Sequence, residues 1–144
     1  MGLTFQVTMD SADPAALSAF WAAVLEYKVQ DPPAGFLTWE AFLEAEGVPR
    51  ELWNSASAIV DPAGKGARIF FQQVPEGKAG KNRVHLDVSV TDGPSSPIED
   101  RRQRVTAASD RIAKLGATLV EVKEVRGELW AVMRDPEGNE FCIQ

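Results

Sequence analysis

One cysteine, one histidine and one tyrosine are all that the 144-residue sequence holds of those types. A single cysteine excludes an intramolecular disulfide framework and makes a reducing cytoplasm the expected compartment. No apolar run approaches the roughly 20 residues needed to span a bilayer. The opening MGLTFQVTMD lacks the basic and apolar regions of a secretory signal. Positive charge is also scarce, the net charge being −6, so neither nucleic acid nor an anionic membrane is expected as a partner. The one dense basic cluster, RRQR at 101–104, lies beside Glu99 and Asp100 and is expected to form a solvated helix face.

What is present is ordered in two similar halves. TFQVTMD alternates as a strand, with Leu3, Phe5, Val7 and Met9 on one face and Thr4, Gln6, Thr8 and Asp10 on the other. Asp13-Pro14 reads as an N-cap and first helical residue, and Leu17, Phe20, Trp21 and Val24 carry a helix to about Glu26. YKVQ is a short strand. TWEAFLEAEG is a short helix capped by Thr38 and stopped by Gly47, and PRELWN adds a turn. SASAIVD and ARIFFQQV follow as strands joined by PAGKG.

The second half repeats the order. NRVHLDVSV is a strand with His85, Asp87 and Ser89 on one face. Ser96-Pro97-Ile98-Glu99 reads as a capping box, and Ile98, Val105, Ala108, Ile112 and Leu115 form the apolar stripe of a helix ended by Gly116. ATLVEVKE, ELWAVMR and NEFCI then read as three strands, the last presenting Glu140, Cys142 and Gln144 on one face. An internal echo, AIVDPAG against VMRDPEG, marks the same turn in each half. One domain over 1–144 is expected, with modules at 1–74 and 83–144 joined by a linker at 75–82.

The stretches FQVTMDSADPAALSAFWAAVLEY, ARIFFQQVPEGKAGKNRVHLDV and MRDPEGNEFCIQ carry a resemblance in their order and spacing. The chain resembles the vicinal-oxygen-chelate superfamily of glyoxalases, extradiol dioxygenases, fosfomycin-resistance enzymes and bleomycin-binding proteins. It is most similar to glyoxalase-like proteins of actinobacteria. The resemblance implies an α+β fold of two βαβββ modules forming a curved mixed-sheet cup, helices outside and ligand inside, commonly in a homodimer.

Metal-dependent relatives hold a divalent ion through the first and fourth strands of each module. That implies Gln6, Gln72 or Gln73 (register decides), His85, and an acid seven residues after the turn aspartate Asp135. The residue there is Cys142. An amide, imidazole and thiol set suits zinc, nickel or iron better than magnesium, manganese or calcium, and it lacks the usual carboxylate. With a single histidine, a two-histidine iron site and ring-cleaving dioxygenase chemistry are not expected. If a metal binds, Gln6, His85 and Cys142 are the candidate ligands; Glu140, with His85, is the candidate catalytic residue, acting as base.

Plainer roles stand beside these: His85 as a hydrogen-bonded strand residue, Cys142 as a small buried filler, Asp87 bonded to an N–H, Glu140 as a rim charge. Phe36, Trp39, Phe42, Leu43 and Trp53 fall in an 18-residue span where a short connection would suffice. They either complete the core or roof a ligand pocket. The expected pocket comprises Gln6, Gln72, His85, Asp87, Trp39, Phe42, Trp53, Trp130, Glu140 and Cys142. Three functions follow: a small-molecule binding protein with a degenerate metal site, sequestering its ligand or doing weak metal-independent chemistry; a metal-dependent lyase or isomerase of glyoxalase I type; or a non-catalytic interaction or regulatory protein.

Overall fold

Alternation in the opening segment becomes strand β1 (Val7–Ser11) in the computed structural model, which describes residues 1–144. The strand starts three residues later than its pattern suggests. Its ladder opens with Val7 N–H donating to Arg68 O, and Leu3 and Phe5 lie exposed ahead of that point. Helix α1 (Pro14–Leu25) begins where its chemistry requires: the Asp13 carboxylate accepts from Ala16 N–H at 3.2 Å, with Pro14 in the first turn. After strand β2 (Lys28–Val29), helix α2 (Trp39–Ala45) is capped by Thr38 Oγ1, which accepts from Ala41 N–H at 3.1 Å. A 3-10 turn (Arg50–Leu52) leads into β3 (Ala56–Val60) and β4 (Ile69–Gln73).

These strands form a mixed sheet in the order β1-β4-β3-β2, with β1 parallel to β4 and the other pairs antiparallel. Period-two alternation divides its faces. Ile59, Ile69 and Phe71 are buried on the face covered by α1, with Leu17 and Trp21 from the helix. Ser18 Oγ meets Ser57 Oγ at 2.8 Å, so the two hydroxyls on this face satisfy each other. Arg68, Phe70 and Gln72 take the opposite face.

The second half gives β5 (Asp87–Val88), α3 (Ile98–Lys114), β6 (Thr118–Val125), β7 (Glu128–Arg134) and β8 (Glu140–Ile143). Its sheet runs β5-β8-β7-β6, with β5 parallel to β8. Val105, Ala108 and Ile112 of α3 bury against Ala131, Met133, Phe141 and Ile143. Both halves are βαβββ modules, and the protein is α+β, with three helices and two four-stranded mixed sheets. The chain divides into compact units Met1–Gly77 and Lys78–Gln144. No helix is long and apolar enough to cross a membrane.

Three local expectations are corrected. The fifth strand is far shorter than NRVHLDVSV, because only the segment beside β8 finds backbone partners: Cys142 N–H donates to Leu86 O and Gln144 N–H to Val88 O. Ser96 is no capping box, since Pro97 stands at the cap of α3 and makes no side-chain bond. Arg101 is buried rather than solvated; it lies four residues before Val105 and so falls on the apolar stripe. Arg102 and Arg104 of the same cluster are exposed and ion-paired.

The echoed turns share one device. Asp61 accepts from the N–H groups of Ala63, Lys65 and Gly66, and Asp135 from those of Glu137 and Asn139. Gly64 and Gly138 occupy φ of 68° and 87°, the left-handed region that glycine enters without strain.

Candidate functional site

The insertion between β2 and β3 lies over the open face of the first sheet and bounds a half-open cavity of about 370 Å3. Trp39, Leu43 and Trp53 form its roof, and Ala56, Ala58 and Phe70 line its floor. Each roof indole is fixed through its N–H: Trp39 Nε1 donates to Gln30 O at 2.7 Å, and Trp53 Nε1 to Val48 O at 2.9 Å. Phe42 is not in the lining. It packs edge-on behind Trp39, ring centroids 5.8 Å apart, and against Phe36 at 5.3 Å.

The cavity wall holds one charge. Arg68 lies over Phe70, 5.5 Å from the ring centroid. Its Nε donates to Gln30 Oε1 and its Nη1 to Gln6 Oε1, both at 2.8 Å. No carboxylate lines the cavity or pairs with this guanidinium. Arg68 and Gln30 escaped the sequence reading. The signal was available, since Arg68 sits two residues before Phe70 on the face that also carries Gln72.

Of the two glutamines of β4, Gln72 shares the open face and donates from Nε2 to Asp10 Oδ1 at 2.8 Å. Gln73 turns to the helix side and donates to Ala12 O.

In the second unit, His85, Asp87 and Cys142 converge, their ligand atoms all within 4.8 Å of one another. The β5–β8 register opposes Asp87 to Cys142, and His85 follows by alternation. His85 Nε2 lies 3.2 Å from Asp87 Oδ1. Burial raises the Cys142 thiol above its ordinary pKa, and the charge of Asp87, which accepts its hydrogen bond, raises it further. Glu140 faces the same way as Cys142 but is engaged elsewhere. Its carboxylate accepts from Asn82 N–H at 3.0 Å and pairs with Lys78 at 3.1 Å. Bonds from the backbone N–H groups of Asn82 and of Glu140 itself, more than Lys78, hold its pKa at about 2, which leaves little basicity at neutral pH. Trp130 lines a separate cavity of about 140 Å3 with Ser89, Thr91 and Arg101.

The glyoxalase-like domain family matches residues 6–144. The chain belongs to this family, within the vicinal-oxygen-chelate superfamily. A glyoxalase/bleomycin resistance protein/dioxygenase family enzyme from Burkholderia phytofirmans PsJN has a similar structure, with TM-score 0.61 and 20% identity over 96% of this chain and 94% of that one. The fosfomycin resistance protein FosX of Mesorhizobium loti gives 0.61 at 14% identity, covering 99% and 90%. The bleomycin-binding protein of Streptomyces verticillus gives 0.55 at 14%, covering 100% and 96%. At these identities the likeness is one of fold. No curated protein sequence matches the chain.

The glyoxalase-like fold implies a divalent ion, and the donors here do not fit a hard one. Gln6 Oε1, in the first unit, already accepts from a guanidinium. Cys142, in the second unit, carries a thiol whose pKa is raised by burial and by Asp87. Imidazole, carboxylate and thiol together suit only a softer ion such as zinc, once the thiol proton is lost.

Proposed function

We propose that this glyoxalase-like protein binds a small apolar or aromatic molecule in the roofed cavity of its first unit, and that binding needs no metal. The observation that carries the reading is the cavity itself. At about 370 Å3 it falls in the range of roughly 300–1,000 Å3 typical of small-molecule sites, with aromatic walls and few polar groups. The roof comes from an insertion that the two-module fold does not require. Sequestration, or weak chemistry without a metal, follows from such a site more readily than proton transfer by Glu140, whose basicity is suppressed.

A panel of one- and two-ring compounds, screened by ligand-observed NMR after dialysis against a chelator, tests this. Binding that is lost in Trp39→Leu supports the reading. Binding that is indifferent to Trp39, or that appears only when a metal is restored, overturns it.

One observation favours a second reading, in which His85, Asp87 and Cys142 hold a zinc-like ion. Elemental analysis of protein purified without chelator decides it: about one ion per chain, lost in His85→Ala, would establish that site. The first reading also keeps a cytoplasmic homodimer. Cys142, a free thiol, suits a reducing compartment. Edge strand β6 leaves Leu119, Val120, Val122 and Val125 exposed, an apolar edge of the kind that a second chain covers. Sedimentation equilibrium at micromolar concentration measures it.

A further inference from the structure

We infer that the ligand of the roofed cavity is an anion, a one- or two-ring carboxylate or similar acid whose charged group rests on Arg68. This deepens the proposed function and rests on it. A guanidinium has five N–H donors in a fixed fork, and the protein engages Arg68 at Nε and Nη1 only, through two neutral amide oxygens. The amides orient the charge without neutralising it. Nη2 is left without a protein acceptor. Arg102 and Arg104, exposed on α3, are each paired with carboxylates. The one on the cavity wall is not.

The surroundings raise the worth of an incoming anion. Arg68 is half-buried, lies on the Phe70 ring, and borders a space walled by tryptophan and aliphatic side chains. A charge partly withdrawn from water gains more from a partner than one in bulk solvent. The acid Asp10 on β1 is tied to Gln72 and stands four residues beyond Gln6, roughly 13 Å along the strand at about 3.3 Å per residue. Gln30 couples the two features: its side chain orients Arg68 while its carbonyl holds the Trp39 indole. Ring stacking and charge recognition are therefore set by one residue. The chain as a whole carries −6, so a positive pocket is not a consequence of composition.

The test pairs each ring system as carboxylate and carboxamide, benzoate with benzamide and 2-naphthoate with 2-naphthamide. The members of a pair have nearly the same shape and differ in charge. Isothermal titration of the full chain is expected to show the carboxylate bound roughly tenfold or more tightly than its amide. Raising ionic strength should weaken the acid and leave the amide unchanged. Arg68→Met should bring acid and amide to equal affinity, with Arg68→Lys between; an unchanged amide affinity shows that the pocket is intact. Equal binding of acid and amide by the native chain overturns the inference and leaves the pocket reading standing. A preference that persists in Arg68→Met overturns it too. No binding of any pair in either form overturns both.

Discussion

Gln6 Oε1 and Arg68 Nη1 lie 2.8 Å apart, a hydrogen bond that directs a fixed positive charge at the Gln6 amide oxygen. A cation coordinated by that oxygen would have the guanidinium as its neighbour, and the like-charge cost opposes it. The bond therefore disfavours a cation at this oxygen. Gln6→Leu should therefore leave metal content unaltered and shift stability by no more than about 1 kcal/mol. It should weaken carboxylate binding several-fold by freeing Arg68 to move. Elemental analysis, urea unfolding and titration together check the three parts.

The roof should be locally weak. Helix α2 has no fully buried side chain, so little apolar burial holds it down, and regions with few buried contacts open at low free energy. Hydrogen exchange should be faster in α2 than in α1 and should slow on binding an aromatic acid. Trp39→Leu should reduce affinity by an order of magnitude or more, with only a small shift in melting temperature.

Much of this was legible in the sequence, and the exceptions have physical causes. Asp13-Pro14, Thr38 and the DPxG turns announce elements through side chains that bond their own backbone, so local chemistry fixes them. The strand around Leu86 was overextended because alternation records which face a residue takes, not whether a partner strand lies alongside. Arg101 was misplaced because charge suggested solvent while its helical phase put it inward. The cavity was half-visible. Trp39 and Trp53 stood out as a surplus of aromatics, whereas Arg68 and Gln30 acquire meaning only when β2, β4 and the insertion meet. Cys142 stands out in the sequence as a thiol where relatives carry an acid, whereas the acid that bonds it, Asp87, comes from the neighbouring strand β5.

Glu140 gives a pH dependence with a definite sign. Its folded pKa of about 2 lies below the usual carboxylate value of 4.5, so its bonds to Asn82 and Lys78 stabilise the fold above pH 4.5 and are lost as pH falls toward 2. Glu140→Gln should be less stable than the native chain at pH 7, and the gap in urea midpoint should close between pH 4.5 and pH 2. A gap that is constant with pH would refute this assignment.

Cys142 should be slow to alkylate. Burial and Asp87 both favour the neutral thiol, and the thiolate is the reacting form. Asp87→Asn removes the negative charge and should accelerate iodoacetamide modification at pH 8, as followed by intact mass.

The central claim, an aromatic-roofed site that works without a metal, is tested most directly by one titration of 2-naphthoate. The native chain is first dialysed against a chelator, and the titration is repeated after one equivalent of zinc is added. The account predicts the same dissociation constant in both. Binding that vanishes in the chelated protein and returns with zinc would contradict it and move the site to His85, Asp87 and Cys142.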